Sequence, residues 1–209
     1  TDASQGAGQL DLHVSRLGVD AMTLNAGKIY GPKQVGLLWR QANVRLRSFI
    51  HGGGQERGLR SGTENVPGVI GFATALELAQ RHRKTETKRL EGLRNGMQRQ
   101  IVAAIPDVVI SGDQKHCLAS HLHVSFPGVD AERLIFILER QHIYVATGSA
   151  CAANAGMRSR VLRAIRLAPD VADGSLRITL GCLSNQAICE RGTVAIIAAV
   201  QSERARMRR

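Results

Sequence analysis

Aromatic side chains are nearly missing: four Phe, two Tyr and one Trp make up 3% of the 209 residues. Base stacking therefore has few platforms, which argues against a nucleic-acid partner despite a formal net charge of +11. Acidic residues are also scarce, with 17 Asp and Glu against 28 Lys and Arg. The cations collect at 81–84, 88–89, 158–166 and 204–209 and read as solvated helix faces, with an acidic protein partner as their second use. No apolar run reaches membrane-spanning length, so no membrane is expected. The four cysteines, at 117, 151, 182 and 189, show no Cys-x-x-Cys spacing. That excludes the common zinc frameworks (metal: none) and suits a reducing cytoplasm. The seven histidines are scattered and read as surface or structural residues.

What the chain does have is glycine, in three informative stretches. The first, Gly148-Ser149-Ala150-Cys151-Ala152-Ala153-Asn154-Ala155-Gly156, sets one reactive thiol among small residues. Nothing beside Cys151 can lock the backbone, so the thiol sits where a chain would place one that must move. The alternative is a Gly/Ala connection in which Cys151 is only a small hydrophobe. In the second stretch, Asn25-Ala26-Gly27-Lys28-Ile29-Tyr30-Gly31-Pro32-Lys33, a strand expected over 19–24 leads to a turn forced by Gly31-Pro32. Lys28 is thereby held at a strand end, where a partly desolvated lysine can act as a nucleophile or a plain one can be solvated. The third runs from His51 to Val66, with five glycines before a helix. Backbone amides at a helix entrance suit an anion such as phosphate.

In this order and spacing the three stretches resemble the cysteine desulfurases of the NifS and IscS kind, in the class V branch of the pyridoxal-phosphate aminotransferase fold. The resemblance runs from Asp2-Ala3-Ser4-Gln5 to Ser175-Leu176-Arg177-Ile178-Thr179-Leu180-Gly181. It implies an α/β, fold type I transferase. Residues 1–84 would be the C-terminal part of the large cofactor-binding domain, and 85–209 the small α+β domain with the cysteine loop. Lys28 would carry pyridoxal 5'-phosphate on its amine, Asp2 would face the pyridine nitrogen, and Gln5 the phenolic oxygen. Asn25 and Thr63 would help hold the phosphate, Thr63 from the second subunit of a homodimer. Arg177 would clamp the substrate carboxylate, and Cys151 would take sulfur from L-cysteine, leaving alanine and a persulfide. Arg158 and Arg160, at the start of a helix, would favour the thiolate. A sulfur acceptor or iron–sulfur scaffold protein is the implied partner, and iron–sulfur cluster assembly or tRNA thiolation the implied setting.

The chain departs from the family pattern at three positions: Asn25 and Gly27 replace serine and histidine, and Gln34 replaces the glycine after Gly-Pro-Lys. Roughly half of the family's polypeptide precedes the point that matches Asp2, so a C-terminal portion is expected. Two further readings stay open. One is a selenocysteine lyase or another class V enzyme. The other is a non-catalytic module that dimerises or binds a sulfur carrier, favoured by Gly27 but opposed by the retained Asp2, Gln5, Lys28, Cys151 and Arg177.

Apolar spacing predicts helices from Val66 toward Arg83 and from Glu86 to Ala104, with Ile105-Pro106-Asp107 as the stop. Further helices are expected over 131–140, 161–165 and 188–206. Strands are expected over 35–39, 108–111, 121–126 and 176–180.

Overall fold

The computed structural model describes residues 1–148 and 159–208. The chain divides into two compact units, Thr1–Thr87 and Lys88–Arg209.

In the first unit, β1 (Ala21–Asn25) pairs antiparallel with β2 (Gly36–Arg40), Ala21 opposite Arg40 and Asn25 opposite Gly36. Alternation buries Met22 and Leu24 while Thr23 and Asn25 face outward. A short helix, α1 (Val14–Leu17), precedes β1 and ends on Gly18 in the left-handed conformation. Ala3, Ala7, Met22, Leu24, Ala26, Ile29, Val35 and Phe72 form the core. Phe72 belongs to α2 (Val66–Ala104), and that helix approaches the Gly31-Pro32 turn too closely for side chains on two glycines. A Cβ on Gly71 would lie 2.6 Å from Pro32 Cγ, and one on Gly31 3.0 Å from Ala75 Cβ.

Two helices were expected between Val66 and Ala104; one helix of 39 residues is found. The segment Arg83-Lys84-Thr85-Glu86-Thr87 contains neither glycine nor proline, and its threonines cost helix only a few tenths of a kcal/mol each. The Thr87 hydroxyl donates to the Gln9 carbonyl at 3.1 Å, so this stretch is anchored as well as helical. The end at Ala104 agrees with the stop read at Ile105-Pro106-Asp107.

In the second unit, β3 (Val109–Ile110), β4 (His121–Ser125) and β5 (Ser175–Thr179) form one antiparallel sheet in that order. The α+β reading holds, but among the described strands of this unit all neighbours are antiparallel, because order along the chain does not fix pairing direction. After α3 (Ala131–Glu139) the chain returns along the other edge of β5, where Ala146 bridges Arg177 antiparallel. Two short helices, α4 (Arg160–Ala164) and α5 (Pro169–Asp173), precede β5, and α6 (Gln186–Met207) follows it. Leu122, Val124, Leu176 and Ile178 on one sheet face share a core with Leu134 and Leu138 of α3 and Ile196 and Val200 of α6. Asp130 caps α3 through the Glu132 N–H at 2.9 Å, and Asn185 caps α6 through the Ile188 N–H at 2.9 Å.

Glu203 of α6 is 2% exposed and accepts from Arg133 Nε at 2.7 Å and from Arg206 Nη2 at 2.6 Å. These hydrogen bonds tie α3 to α6 and hold the carboxyl below its ordinary 4.5, Arg206 contributing most. A depressed carboxyl stabilises the fold above the unfolded value and ceases to do so as pH falls through the folded one. The stability gap between wild type and Glu203→Gln should therefore be constant near neutrality and shrink below about pH 4.5. Urea unfolding across pH checks this.

Gln34, in the turn before β2, has φ of 65°. A side chain in the left-handed region carries strain that glycine avoids, offset in part by the extra chain entropy of glycine. Gln34→Gly should raise unfolding stability by about 1 kcal/mol, measured by urea denaturation.

Candidate functional site

Lys28 stands on a small rigid mount. Asn25, the last residue of β1, caps a single 3-10 turn over Ala26–Ile29, its Oδ1 accepting the Gly27 N–H at 2.9 Å. The Ala26 N–H donates to the Val35 carbonyl at 3.0 Å, and the Gly31 N–H returns to the Ala26 carbonyl at 2.9 Å. Ala26 and Ile29 are buried while Gly27 and Lys28 are exposed, so the turn presents the amine outward from a fixed base. The strand-end placement expected from Gly31-Pro32 is observed, with the 3-10 turn as its physical form.

Asp2 joins the same strand. It bridges Thr23 in parallel, and the Ala3 N–H donates to the Thr23 carbonyl at 2.9 Å. Asp2 Oδ1 accepts the Ser4 N–H at 2.9 Å. Hydrogen bonds from Ser4, chiefly, and from Thr23 hold the carboxyl below its ordinary range, so it is ionised near neutral pH. Gln5 follows in the turn closed by the Gly6 and Ala7 N–H groups on the Ala3 carbonyl, at 3.0 Å each. Asp2 thus lies beside the middle of β1 at Thr23, two residues before Asn25 at the strand's carboxyl end.

The donor set fits pyridoxal phosphate. The ionised Asp2 suits a protonated ring nitrogen. With Asn25 Oδ1 committed to the backbone, its amide Nδ2 remains to donate to a phosphate. Gly27 offers only its backbone, and a Cβ there would lie 3.2 Å from Asn25 Oδ1. Thr63 is exposed in the loop before α2. That loop is organised by Ser61 Oγ accepting from the Gly54 N–H at 3.3 Å and Gln55 Oε1 from the Gly62 N–H at 3.0 Å.

Arg177, in the middle of β5, is half-buried, lies opposite His123 of β4 and bridges Ala146 on its other side. Its Nε is buried with no hydrogen-bond partner, and His123 Nδ1 is in the same condition. Burial, and secondly the Arg177 charge, push His121 and His123 below their ordinary 6.5, so both are neutral near pH 7. These histidines were missed among seven scattered ones; the available signal was the alternation His121-x-His123-x-Ser125 on a strand.

Cys151 and Arg158 lie outside the described residues. The ends that flank their segment are close together: a Cβ on Gly148 would lie 4.0 Å from Ser159 Cβ. Gly148 is two residues beyond Ala146, whose carbonyl accepts the Arg177 N–H at 2.6 Å. Ser159 caps α4, whose first residue is Arg160. Cys189 is a core residue whose thiol is pushed up by burial, while Cys182 is exposed. Among the described residues no group of three or more His, Cys, Asp or Glu is placed to hold a metal ion. Nor is any described helix long and apolar enough to cross a membrane.

Removing the Arg177 cation should free both imidazoles to protonate more readily. In the wild-type chain, His121 and His123 ring resonances should titrate below 6.5, and Arg177→Gln should move both midpoints upward, as read by NMR.

The Aminotransferase class-V family profile matches residues 1–190. The chain is 40% identical over 188 residues to "Cysteine desulfurase IscS" of Clostridium botulinum strain Hall, covering 89% of this chain and 47% of that protein. It is 39% identical over 183 residues to human "Cysteine desulfurase", covering 87% of this chain and 40% of the human protein. A solved structure titled "NIFS-LIKE PROTEIN" superposes with a TM-score of 0.86 at 32% identity, over 96% of this chain and 52% of its own. The chain spans about half the length of the curated relatives it matches.

Proposed function

The chain belongs to the class V aminotransferase family, with the type I fold of pyridoxal-phosphate-dependent transferases, and on that premise we propose that it carries the catalytic half of a cysteine desulfurase. The observation that most supports this reading is that Asp2 pairs alongside β1 while Asn25 and Lys28 stand at the carboxyl end of the same strand. Class V aminotransferases and cysteine desulfurases are pyridoxal-phosphate proteins. We assign residues 1–84 to the cofactor-binding domain and 85–209 to the small domain.

Pyridoxal phosphate, when bound, supplies an electron sink for the substrate's α-carbon. Lys28 holds it through Nζ and moves the substrate's α-proton. Asp2, kept ionised by Ser4 and Thr23, keeps the ring nitrogen protonated. Gln5 donates to the phenolic oxygen, and Asn25 and Thr63 donate to the phosphate, Thr63 across a homodimer interface. Arg177 binds the carboxylate of L-cysteine with its planar fork of donors. Cys151, as the thiolate, would form an S–S bond to the substrate sulfur while the substrate Cβ–S bond breaks, its electron pair staying on the carbon skeleton, which takes up a proton at Cβ and regains one at the α-carbon. Alanine leaves, and the Cys151 persulfide passes its outer sulfur to an acceptor or iron–sulfur scaffold protein. The setting we propose is a reducing cytoplasm, with the sulfur directed to iron–sulfur clusters or tRNA thiolation.

Pyridoxal phosphate added to the chain should produce a visible absorption band that Lys28→Ala abolishes. Absence of that band would sink the catalytic reading for this chain and leave the dimerisation or carrier-binding module. With the band present, product assays using cysteine and selenocysteine separate desulfurase from selenocysteine lyase.

A further inference from the structure

The sheet of the second unit has two chemically different faces. Ile110, Leu122, Val124, Leu176 and Ile178 face the apolar core. Pairing register puts their alternates on the opposite face. His123 lies across from Arg177, and Ser125 across from Ser175. The Ser111 N–H donates to the His123 carbonyl at 3.2 Å, continuing β3 by one residue and placing Ser111 on the same face. Ser111, His123 and Arg177 therefore form a row across three strands, with neighbouring Cβ atoms about 5 Å apart.

Five side-chain polar atoms among the described residues are buried without a hydrogen-bond partner, and four of them sit on this one face. They are Ser111 Oγ, His123 Nδ1, Ser125 Oγ and Arg177 Nε; the fifth is Gln80 Nε2. An orphaned buried polar atom is costly, so four in one cluster are poorly explained as chance and well explained as a seat for a polar ligand. The Arg177 cation fixes the sign of that ligand as an anion, and the narrow row fits a carboxylate.

We infer that Ser111 and His123 complete an anion seat with Arg177, and that a carboxylate bound there is held between the guanidinium and a His123 ring that takes up a proton from solvent. The inference rests on the reading of Arg177 as the carboxylate residue and adds a second ligand group and a coupled proton. Without an anion, neither His123 Nδ1 nor Arg177 Nε has a hydrogen-bond partner. With one, a protonated ring offers two donors and no acceptor, matching a carboxylate that has spare lone pairs. The titratable or charged groups on the elements beside His123 are Arg177 from β5, His121 from its own strand, and Asp170 and Asp173 of α5, which packs against β4; β3 contributes Ser111, and the returning segment contributes Ala146. No carboxylate from these strands competes for the proton. By linkage, an anion that raises the His123 midpoint must bind more tightly as pH falls.

The test titrates the chain with L-alanine, whose carboxylate stays ionised throughout, and follows assigned histidine ring resonances by NMR, with L-alaninamide, which keeps the amine and lacks the carboxylate, as the control. The expected result is an upward shift of the His123 midpoint and a Kd for L-alanine that falls at least about threefold from about pH 8 to about pH 6. Both changes should vanish with L-alaninamide. Arg177→Gln should lose binding. His123→Asn should weaken binding and abolish its pH dependence, and His121→Asn should retain both. Binding that needs Arg177 but ignores His123→Asn and pH would overturn the inference and leave the Arg177 reading standing. Binding unaffected by Arg177→Gln would remove both. No response in the wild-type chain would also overturn the inference. Each variant's amide spectrum confirms that it is folded, and His123→Gln serves in place of His123→Asn if the latter is not.

Discussion

Everything in this structure that bears on chemistry depends on the two-residue alternation of its strands. In β1 the alternation commits Met22 and Leu24 to the core and leaves Thr23 and Asn25 outside, where Asp2 can align beside them. In β4 and β5 it commits Leu122, Val124, Leu176 and Ile178 to the core and delivers His123 and Arg177 to the other face. A slip of one residue would invert both assignments at once, burying charge and exposing the apolar set. The apolar residues therefore fix the polar ones. The cores set the register, and the register positions the groups proposed to bind ligand.

Backbone geometry refines those placements. Lys28 projects from a 3-10 turn whose inward residues, Ala26 and Ile29, are buried, and Asn25 closes that turn with its own side chain. The turn is backed by Gly31-Pro32 against a helix that comes close only because Gly71 and Gly31 lack side chains. Gln34 shows the opposite situation, a side chain held in a conformation that favours glycine. It coincides with one of the three departures from the family pattern, so that departure has a visible conformational cost.

The cofactor-site departures, Asn25 and Gly27, have a compensating logic. Asn25 caps the Gly27 N–H with its carbonyl oxygen and keeps its amide nitrogen available. Serine in that place could also cap the turn, but a hydroxyl offers a single proton. Gly27 leaves the space beside Asn25 Oδ1 open, a space in which a Cβ would already be tight at 3.2 Å. The pair thus forms a consistent local arrangement, in which the side chain lost at 27 is partly replaced by the longer amide at 25.

The sequence by itself determined the family, the strands, the ends of the long helix and the identity of Lys28, Asp2 and Arg177 as candidates, because these rest on local signals: periodicity, glycine and proline punctuation, and motif spacing. Tertiary structure decided what local signals do not encode. The single helix through Thr85 was missed because the apolar spacing was read as two separate runs, although no glycine or proline breaks the chain between them. The antiparallel direction of β5 against β4 depends on how the chain returns after α3, which element order leaves open. His123 was invisible as a site residue because its meaning comes from Arg177, 54 positions later in the chain and directly opposite it in the sheet. A residue's chemistry is written in the sequence, whereas the company it keeps is settled only when distant strands pair.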